Sequence, residues 1–337
     1  MQDEQPEESR DSTATGVHPD PDAAPPDAGA AAAHGAVSDV PLLDDVAPLS
    51  ERYPVWFCDV WGVVHDGVRA DPAACEALAR HRAGGGIVVF ITNSPRPVEA
   101  LVEQLKGLKV PRAAWDAIVT SGDLTRQLVS RHRGARVFHL GPPRDARLRE
   151  GLPVTFTGPE EAEVILCSGL FDDHEEQPEQ YRDMLAGLAG RGLPMICANP
   201  DMKVQHGERI IPCAGALAAI YRELGGRVIM AGKPHAPIYE ACLEKAEAVA
   251  GRRIGKSEIL AIGDGMATDI LGAARFGIAA LYIATGVHHE ELQEKGLAHV
   301  LARIREVAPQ VRLAGVMERL QWKGAMHSAN REGETAP

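Results

Sequence analysis

The sequence predicts an α/β protein: a mostly parallel sheet covered by helices on both faces, with a second, smaller α/β unit inserted into it. Three observations predict this. Short β-rich runs alternate with helical stretches along the chain. Polar, chemistry-bearing residues directly follow four of those runs. The runs before and after residues 125–211 read as one sheet, while that stretch carries strands and a helix of its own. A length of 337 residues allows about two domains.

In chain order, residues 1–47 are rich in Ala, Pro, Asp, Glu and Gly and poor in large apolar side chains. They bury too little surface to offset their ordering entropy and are expected to form a disordered arm, as is the tail 325–337. The arm lacks the Arg-rich, acid-poor character of an organelle transit peptide. The first strand, 55–58, delivers Asp59 into the turn Val60-Trp61-Gly62. Asp71-Pro72 then supplies an N-cap and a first-turn proline for a helix. Gly84-Gly85-Gly86 ends that helix before the strand 87–91. These glycines precede a strand instead of following one, so they read as a helix stop and not as a phosphate loop. A third strand is expected at 117–119. The inserted unit, 125–211, carries strands at 137–140, 164–167 and 195–198 and a helix at 178–190. Strands at 228–230, 259–262 and 280–283 return to the first sheet, so that the core comprises 48–124 and 212–310.

Composition narrows the partners. With a formal net charge of −12 and no basic cluster, the chain lacks the footprint of a nucleic-acid binder. An anionic small molecule would have to be drawn in by local groups against an unfavourable overall field. The six cysteines, at 58, 75, 167, 197, 213 and 242, form no C-x-x-C pair and read as reduced thiols, which predicts a cytoplasmic protein. No apolar run is long enough to span a bilayer; the run 40–46 is short and contains Asp44 and Asp45.

The four polar stations are Asp59, then Thr92-Asn93-Ser94, then Lys233, then Gly263-Asp264-Gly265-Met266-Ala267-Thr268-Asp269. In one parallel sheet, strand ends of this kind converge on a single edge. A carboxylate nucleophile, a hydroxyl, an ammonium and an acidic pair are what phosphoryl transfer through an aspartyl-phosphate requires.

With these stations in this order, the chain resembles the haloacid dehalogenase (HAD) superfamily hydrolases with a type-IIA cap. That group contains bacterial sugar- and nucleotide-monophosphate phosphatases and 4-nitrophenyl phosphatases. Ala198-Asn199-Pro200-Asp201, the stretch from Ile211 to Leu217 and Ala231-Gly232-Lys233-Pro234 are similar to that class, and the likeness runs from about Tyr53 to Val307. The resemblance implies a Rossmann-like core with an inserted cap whose closure excludes water, and a small phosphorylated metabolite as substrate. It implies Asp59 as nucleophile, with Thr92 and the backbone N–H groups of Asn93 and Ser94 on the phosphate. Lys233 would neutralise the phosphoryl charge. Mg²⁺ would sit on Asp59, the backbone carbonyl of Trp61 and Asp264, with Asp269 supporting it from behind or through a water. Whether such a protein forms a homodimer is left open.

Trp61 departs from that pattern. Phosphatases of this superfamily carry a second Asp there, which protonates the leaving alkoxide and then activates water; an indole N–H does neither. Three explanations stand: His65 or Asp66 takes over proton transfer; the substrate has a good leaving group and Trp61 forms a wall beside it; or the protein is a non-catalytic binder of a phosphorylated ligand. Dehalogenases also lack an acid at this position but do not need the metal pair, so Asp264 and Asp269 count against dehalogenation. The acidic run 172–176 reads as a solvated cap loop, and His206 and His235 lack ligand spacing. Asn199 and Asp201 are expected to position the cap.

Overall fold

Both faces of every core strand are apolar, and in the computed structural model, which describes residues 40–206, 209–285 and 287–324, this produces a sheet buried on both sides. Thirteen strands form among the described residues: β1 (Val55–Cys58), β2 (Ile87–Thr92), β3 (Ala117–Thr120), β4 (Arg136–Leu140), β5 (Thr155–Phe156), β6 (Val164–Cys167), β7 (Met195–Cys197), β8 (Lys203–His206), β9 (Arg209–Pro212), β10 (Val228–Met230), β11 (Ile259–Gly263), β12 (Ala279–Ile283) and β13 (Arg312–Met317). The larger sheet has the order β13-β12-β11-β1-β2-β3, and all of its pairs are parallel. Alternation along the strands divides the core in two. Trp56, Cys58, Phe90 and Ile262 face the helices Pro72–Ala83 and Val98–Gly107, whereas Phe57, Val89, Ile91 and Ala261 face the helices Ala236–Ala250 and Leu271–Phe276.

Local sequence signals account for the element ends. Asp71 caps the helix Pro72–Ala83 by accepting from the amides of Ala73 and Ala74 at 2.8 and 3.1 Å. That helix stops at Gly84, as expected. The expected helix at 178–190 is a short 3₁₀ turn, Pro178–Tyr181, running into the helix Arg182–Gly190.

The second sheet, β10-β7-β6-β4-β5, is also wholly parallel, and its membership corrects the expected boundary. β10 pairs with β7, Val228 opposite Met195, and not with the core. The helix Ala214–Glu223 packs Leu217, Ala218 and Tyr221 against Leu185 and Leu188. On the other side of the sheet, Val129 from the helix Ser121–Ser130 joins Leu148, Val164 and Ile196. The inserted unit therefore runs over 121–230 instead of 125–211. An apolar run of three residues carries no mark of the sheet it will join; the apolar face of the preceding helix decides it.

Part of the expected N-terminal arm is also ordered. Residues 1–39 and 325–337 lie outside the described residues, but Leu43 donates its amide to Val316 O at 2.8 Å and Val46 is fully buried. β13, beyond the expected end of the core at 310, supplies the edge on which this segment packs. No helix among the described residues is long and apolar enough to cross a membrane.

One core contact is sensitive to protons. His81 stacks on Trp56 with ring centroids 3.7 Å apart and planes 4° apart, and its Nδ1 meets Ser50 Oγ at 2.6 Å. Burial pushes the imidazole down to about 4. The unfolded chain binds a proton there below about pH 6.5 that the folded chain refuses until about pH 4, so stability falls as pH falls through that window. Urea midpoints are expected to drop between pH 7 and pH 5, with a shallower drop in His81→Phe. An identical slope in the variant would show that the native state accommodates the charged ring.

Candidate active site

Asp59 stands at the mouth of the core sheet because β1 ends one residue before it, and its amide continues the ladder by donating to Ile262 O at 2.8 Å. Its Oδ1 accepts from Val60 N–H at 2.7 Å and from Lys233 Nζ at 2.7 Å. Oδ2 carries neither bond. Burial, followed by the nearby Asp269 carboxylate, pushes the Asp59 carboxyl well above the usual range, against the pull of Lys233.

The acidic pair comes from the end of β11. Met266–Ile270 forms a π-turn, with the amide of Ile270 donating to Gly265 O at 3.1 Å, before the helix Leu271–Phe276 begins. Such wide turns are frequent at functional sites, and this one turns Asp269 inward to 2 % exposure. Asp269 Oδ1 accepts from Lys233 Nζ at 2.8 Å and Oδ2 from Gly265 N–H at 3.2 Å. Asp264 Oδ2 accepts from Thr285 Oγ1 at 3.0 Å; burial, then the Asp269 charge, pushes its carboxyl up to about 7. Gly62 lies against this carboxylate with φ +86°, and a Cβ there would come within 2.1 Å of Asp264 Oδ2. Only glycine lets the turn after Asp59 approach so closely.

Lys233 reaches the site from the other sheet, which corrects the expectation that all four stations end strands of one sheet. It follows β10 of the inserted unit, and the chain crosses back at Gly232 with φ +132°. The Asn93 side chain secures the crossing. Its Oδ1 accepts from Lys233 N–H at 2.7 Å, and its Nδ2 donates to Asp201 Oδ1 at 2.9 Å and to Lys233 O at 3.3 Å. This organising role was not legible in the sequence, which marked only the Asn93 backbone. Asn199 orients Asp201 in turn, its Oδ1 accepting the Asp201 amide at 3.0 Å. Burial disfavours the Lys233 ammonium, yet Asp269 and Asp59 outweigh that penalty and hold it well above the usual lysine range. Thr92 is buried at the end of β2, where its Oγ1 accepts from Ser94 N–H at 3.1 Å, leaving the hydroxyl proton to donate elsewhere.

Trp61, His65 and Asp66 line the same cavity. The His65 ring meets Trp61 edge-on, with centroids 5.1 Å apart. Its Nδ1 accepts from Gly67 N–H at 3.0 Å, which places the ring proton on Nε2, and burial pushes the imidazole down to about 4. A neutral ring in this tautomer has no acidic proton to give near pH 7. Asp66 accepts from the amides of Val68 and Arg69 at 2.9 and 2.8 Å; burial opposes its charge slightly, but these bonds hold its carboxyl below the usual range. Neither residue has the environment of a substitute general acid.

The cavity, about 1300 Å³, is walled on the other side by the inserted unit. Asp173, from the acidic run read as a solvated loop, turns into it and receives Arg144 Nη1 at 2.9 Å. Its neighbour His174 also lines the cavity, the His206 side chain lies outside the described residues, and His235 stands at the N-cap position of the helix Ala236–Ala250.

Asp59, Asp264 and Asp269 offer oxygens all within 4.8 Å of one another. Three carboxylates against one ammonium leave an excess of negative charge in a buried site, and all the donors are hard oxygens. This suits a hard divalent cation better than a thiol- or imidazole-seeking metal. Both Asp269 oxygens are already bonded, so Asp59 and Asp264 are the carboxylates that could hold such a cation directly, while Asp269 orients the lysine.

A sequence model described as haloacid dehalogenase-like hydrolase matches residues 56–152, and a HAD-hydrolase-like model matches residues 230–312. The chain is 26 % identical to the 5'-nucleotidase YutF of Bacillus subtilis, over 72 % of its own length and 91 % of that protein. It is 29 % identical to the ribonucleotide monophosphatase NagD of Escherichia coli, over 68 % and 87 %. A crystal structure of a haloacid dehalogenase-like family hydrolase from Brucella suis is similar with a TM-score of 0.71 and 49 % identity, covering 73 % of this chain and 91 % of that one.

Adding Mg²⁺ is expected to raise the melting temperature, by the equivalent of about 2.7 kcal/mol at a hundred times its Kd. Asp264→Asn should lose most of that increment. The same rise in the variant would show that the ion sits elsewhere.

Proposed function

The chain belongs to the haloacid dehalogenase-like hydrolase family, and from its site we propose that it is a Mg²⁺-dependent phosphatase acting through an aspartyl-phosphate on Asp59. The observation that carries this reading is the buried Lys233 ammonium, 2.7 Å from Asp59 and 2.8 Å from Asp269, with the Asp264 carboxylate beside them. Val60 N–H and Lys233 hold Asp59 Oδ1, so Oδ2 attacks phosphorus in line while the bond to the leaving oxygen breaks. Thr92 and the amides of the Asn93-Ser94 turn receive the phosphoryl oxygens, and Lys233 offsets their charge. Mg²⁺, held by Asp59, Asp264 and the Trp61 carbonyl, would supply further neutralisation of the phosphoryl group. Water then attacks the acyl phosphate, releasing inorganic phosphate and restoring Asp59.

The substrate is a small phosphorylated metabolite, a sugar phosphate or a nucleotide monophosphate; relatives named for ribonucleotide monophosphates and sugars support this class. With Trp61 at the usual acid position, His65 neutral and Asp66 ionised, the leaving oxygen departs without a strong proton donor from this loop. Substrates with stable leaving groups turn over fastest. Trp61 also favours a second reading, a phospho-ligand binder that uses the same residues without turnover.

Phosphate release from 4-nitrophenyl phosphate is expected to need Mg²⁺ and to vanish in Asp59→Asn. Trp61→Asp should accelerate alkyl phosphates by up to about 10²–10⁴ and 4-nitrophenyl phosphate far less, since general acid help matters most for poor leaving groups. Release that persists in Asp59→Asn rules out the covalent mechanism. Silence of the wild type, together with measurable binding of a sugar phosphate, selects the binder.

A further inference from the structure

The π-turn that aims Asp269 inward is held from behind by a side chain outside the cavity. Tyr239 belongs to the helix Ala236–Ala250, which follows directly on the crossing that delivers Lys233, and it is 1 % exposed. It is not among the residues that line the cavity. Its ring sits in the apolar layer with Ile238, Cys242, Ile270 and Phe276, stacked on Phe276 with centroids 5.5 Å apart and planes 26° apart. From there its hydroxyl donates to Asp269 O at 3.2 Å, with Thr268 O at 3.5 Å. Gly272 leaves room for the hydroxyl, since a Cβ there would lie 2.2 Å from Tyr239 Oη.

A phenylalanine would fill this apolar layer equally well, and a hydroxyl buried there costs free energy unless it is bonded. The bond it makes falls where the backbone needs one. The amides of Asp269 and Ile270 both donate to Gly265 O, at 2.9 and 3.1 Å, and the helix Leu271–Phe276 then resumes ordinary spacing. Such a change of register shifts the pairing of amides and carbonyls, so carbonyls at the junction call on donors from elsewhere. The result is a clamp on one residue from two points of one segment. Lys233 Nζ bonds the Asp269 carboxylate at 2.8 Å, and Tyr239 bonds the Asp269 backbone carbonyl.

We infer that Tyr239 is a positioning residue for phosphoryl transfer: its hydroxyl fixes the π-turn and so holds the Asp269 carboxylate on Lys233, which keeps the ammonium beside Asp59. The inference rests on the phosphatase reading above. Without the hydroxyl the turn is free to relax toward ordinary helical spacing, which swings the Asp269 carboxylate away and lets Lys233 follow it. A misplacement of about 1 Å in a catalytic centre costs up to about 10²-fold in rate. Because Tyr239 touches neither the cavity nor the reacting atoms, its loss acts on the rate of the bound complex and not on substrate binding.

The test is Tyr239→Phe, which removes the hydroxyl and keeps the ring and its stack, assayed with Mg²⁺ on 4-nitrophenyl phosphate. The variant should lose about 10- to 100-fold in kcat with KM changed by less than about threefold. In an Asp269→Asn background the same substitution should cost less than about threefold, because two residues that act through one contact are not additive. An unchanged kcat, a loss carried by KM, or the same loss in both backgrounds overturns the assignment. If the wild type hydrolyses no ester, the phosphatase reading fails on its own. In that case, or where Asp269→Asn is too slow to assay, amide hydrogen exchange decides: the Asp269 and Ile270 amides should exchange at least about tenfold faster in Tyr239→Phe while the amides of β1 keep their protection. No acceleration, or equal acceleration in both places, overturns it.

Discussion

The site depends on one buried ammonium. Lys233 is 2 % exposed and sits between Asp59 and Asp269, each within 2.8 Å of its Nζ. Without it, three carboxylates crowded at the end of the core sheet would repel one another in a region where water cannot screen them. Removing one partner from a buried pair typically costs about 3–5 kcal/mol, because the survivor stays charged and unpaired. The lysine thus makes the carboxylate cluster tolerable, and the cluster makes the lysine tolerable. The residual negative charge suits the site to a hard cation.

This arrangement needs the two sheets to meet. Asp59 and the acidic pair come from β1 and β11 of the core, whereas Lys233 arrives at the end of β10 in the other sheet. The Asn93 carboxamide closes the junction by binding both the Lys233 backbone and Asp201. At Gly232 a Cβ would lie 2.5 Å from Asn93 Oδ1, so the crossing strand passes as close as a backbone can. Arg147 of the inserted unit adds a more exposed tie to Glu103 at 2.8 Å, of the kind that contributes little by itself. Placement of the ammonium is therefore a property of the domain junction as much as of the catalytic loop.

Around Trp61 the physical logic differs from that of the carboxylate cluster. His65 is buried, neutral and fixed by the Gly67 amide, and it braces the indole edge-on. Asp66 spends its carboxylate on the turn that follows. The loop after Asp59 thus presents the indole, braced by His65, to the cavity.

Much of this was legible in the sequence alone. The strand 55–58, the cap at Asp71 and the stop at Gly84 are local signals, set by apolar runs and by residues whose side chains bond within a few positions. The same holds for the order Asp59, Thr92, Lys233, Asp264, because chemistry at strand ends follows from the strands themselves. What only the tertiary structure decided are the contacts between distant segments. These include the pairing of β10 with β7, the packing of Val46 under the far edge of the core and the grip of Asn93 on Lys233. A short apolar run or a lone carboxylate looks the same in any of several surroundings. Which one it acquires depends on the apolar faces its neighbours must bury, and that is set by the whole chain at once.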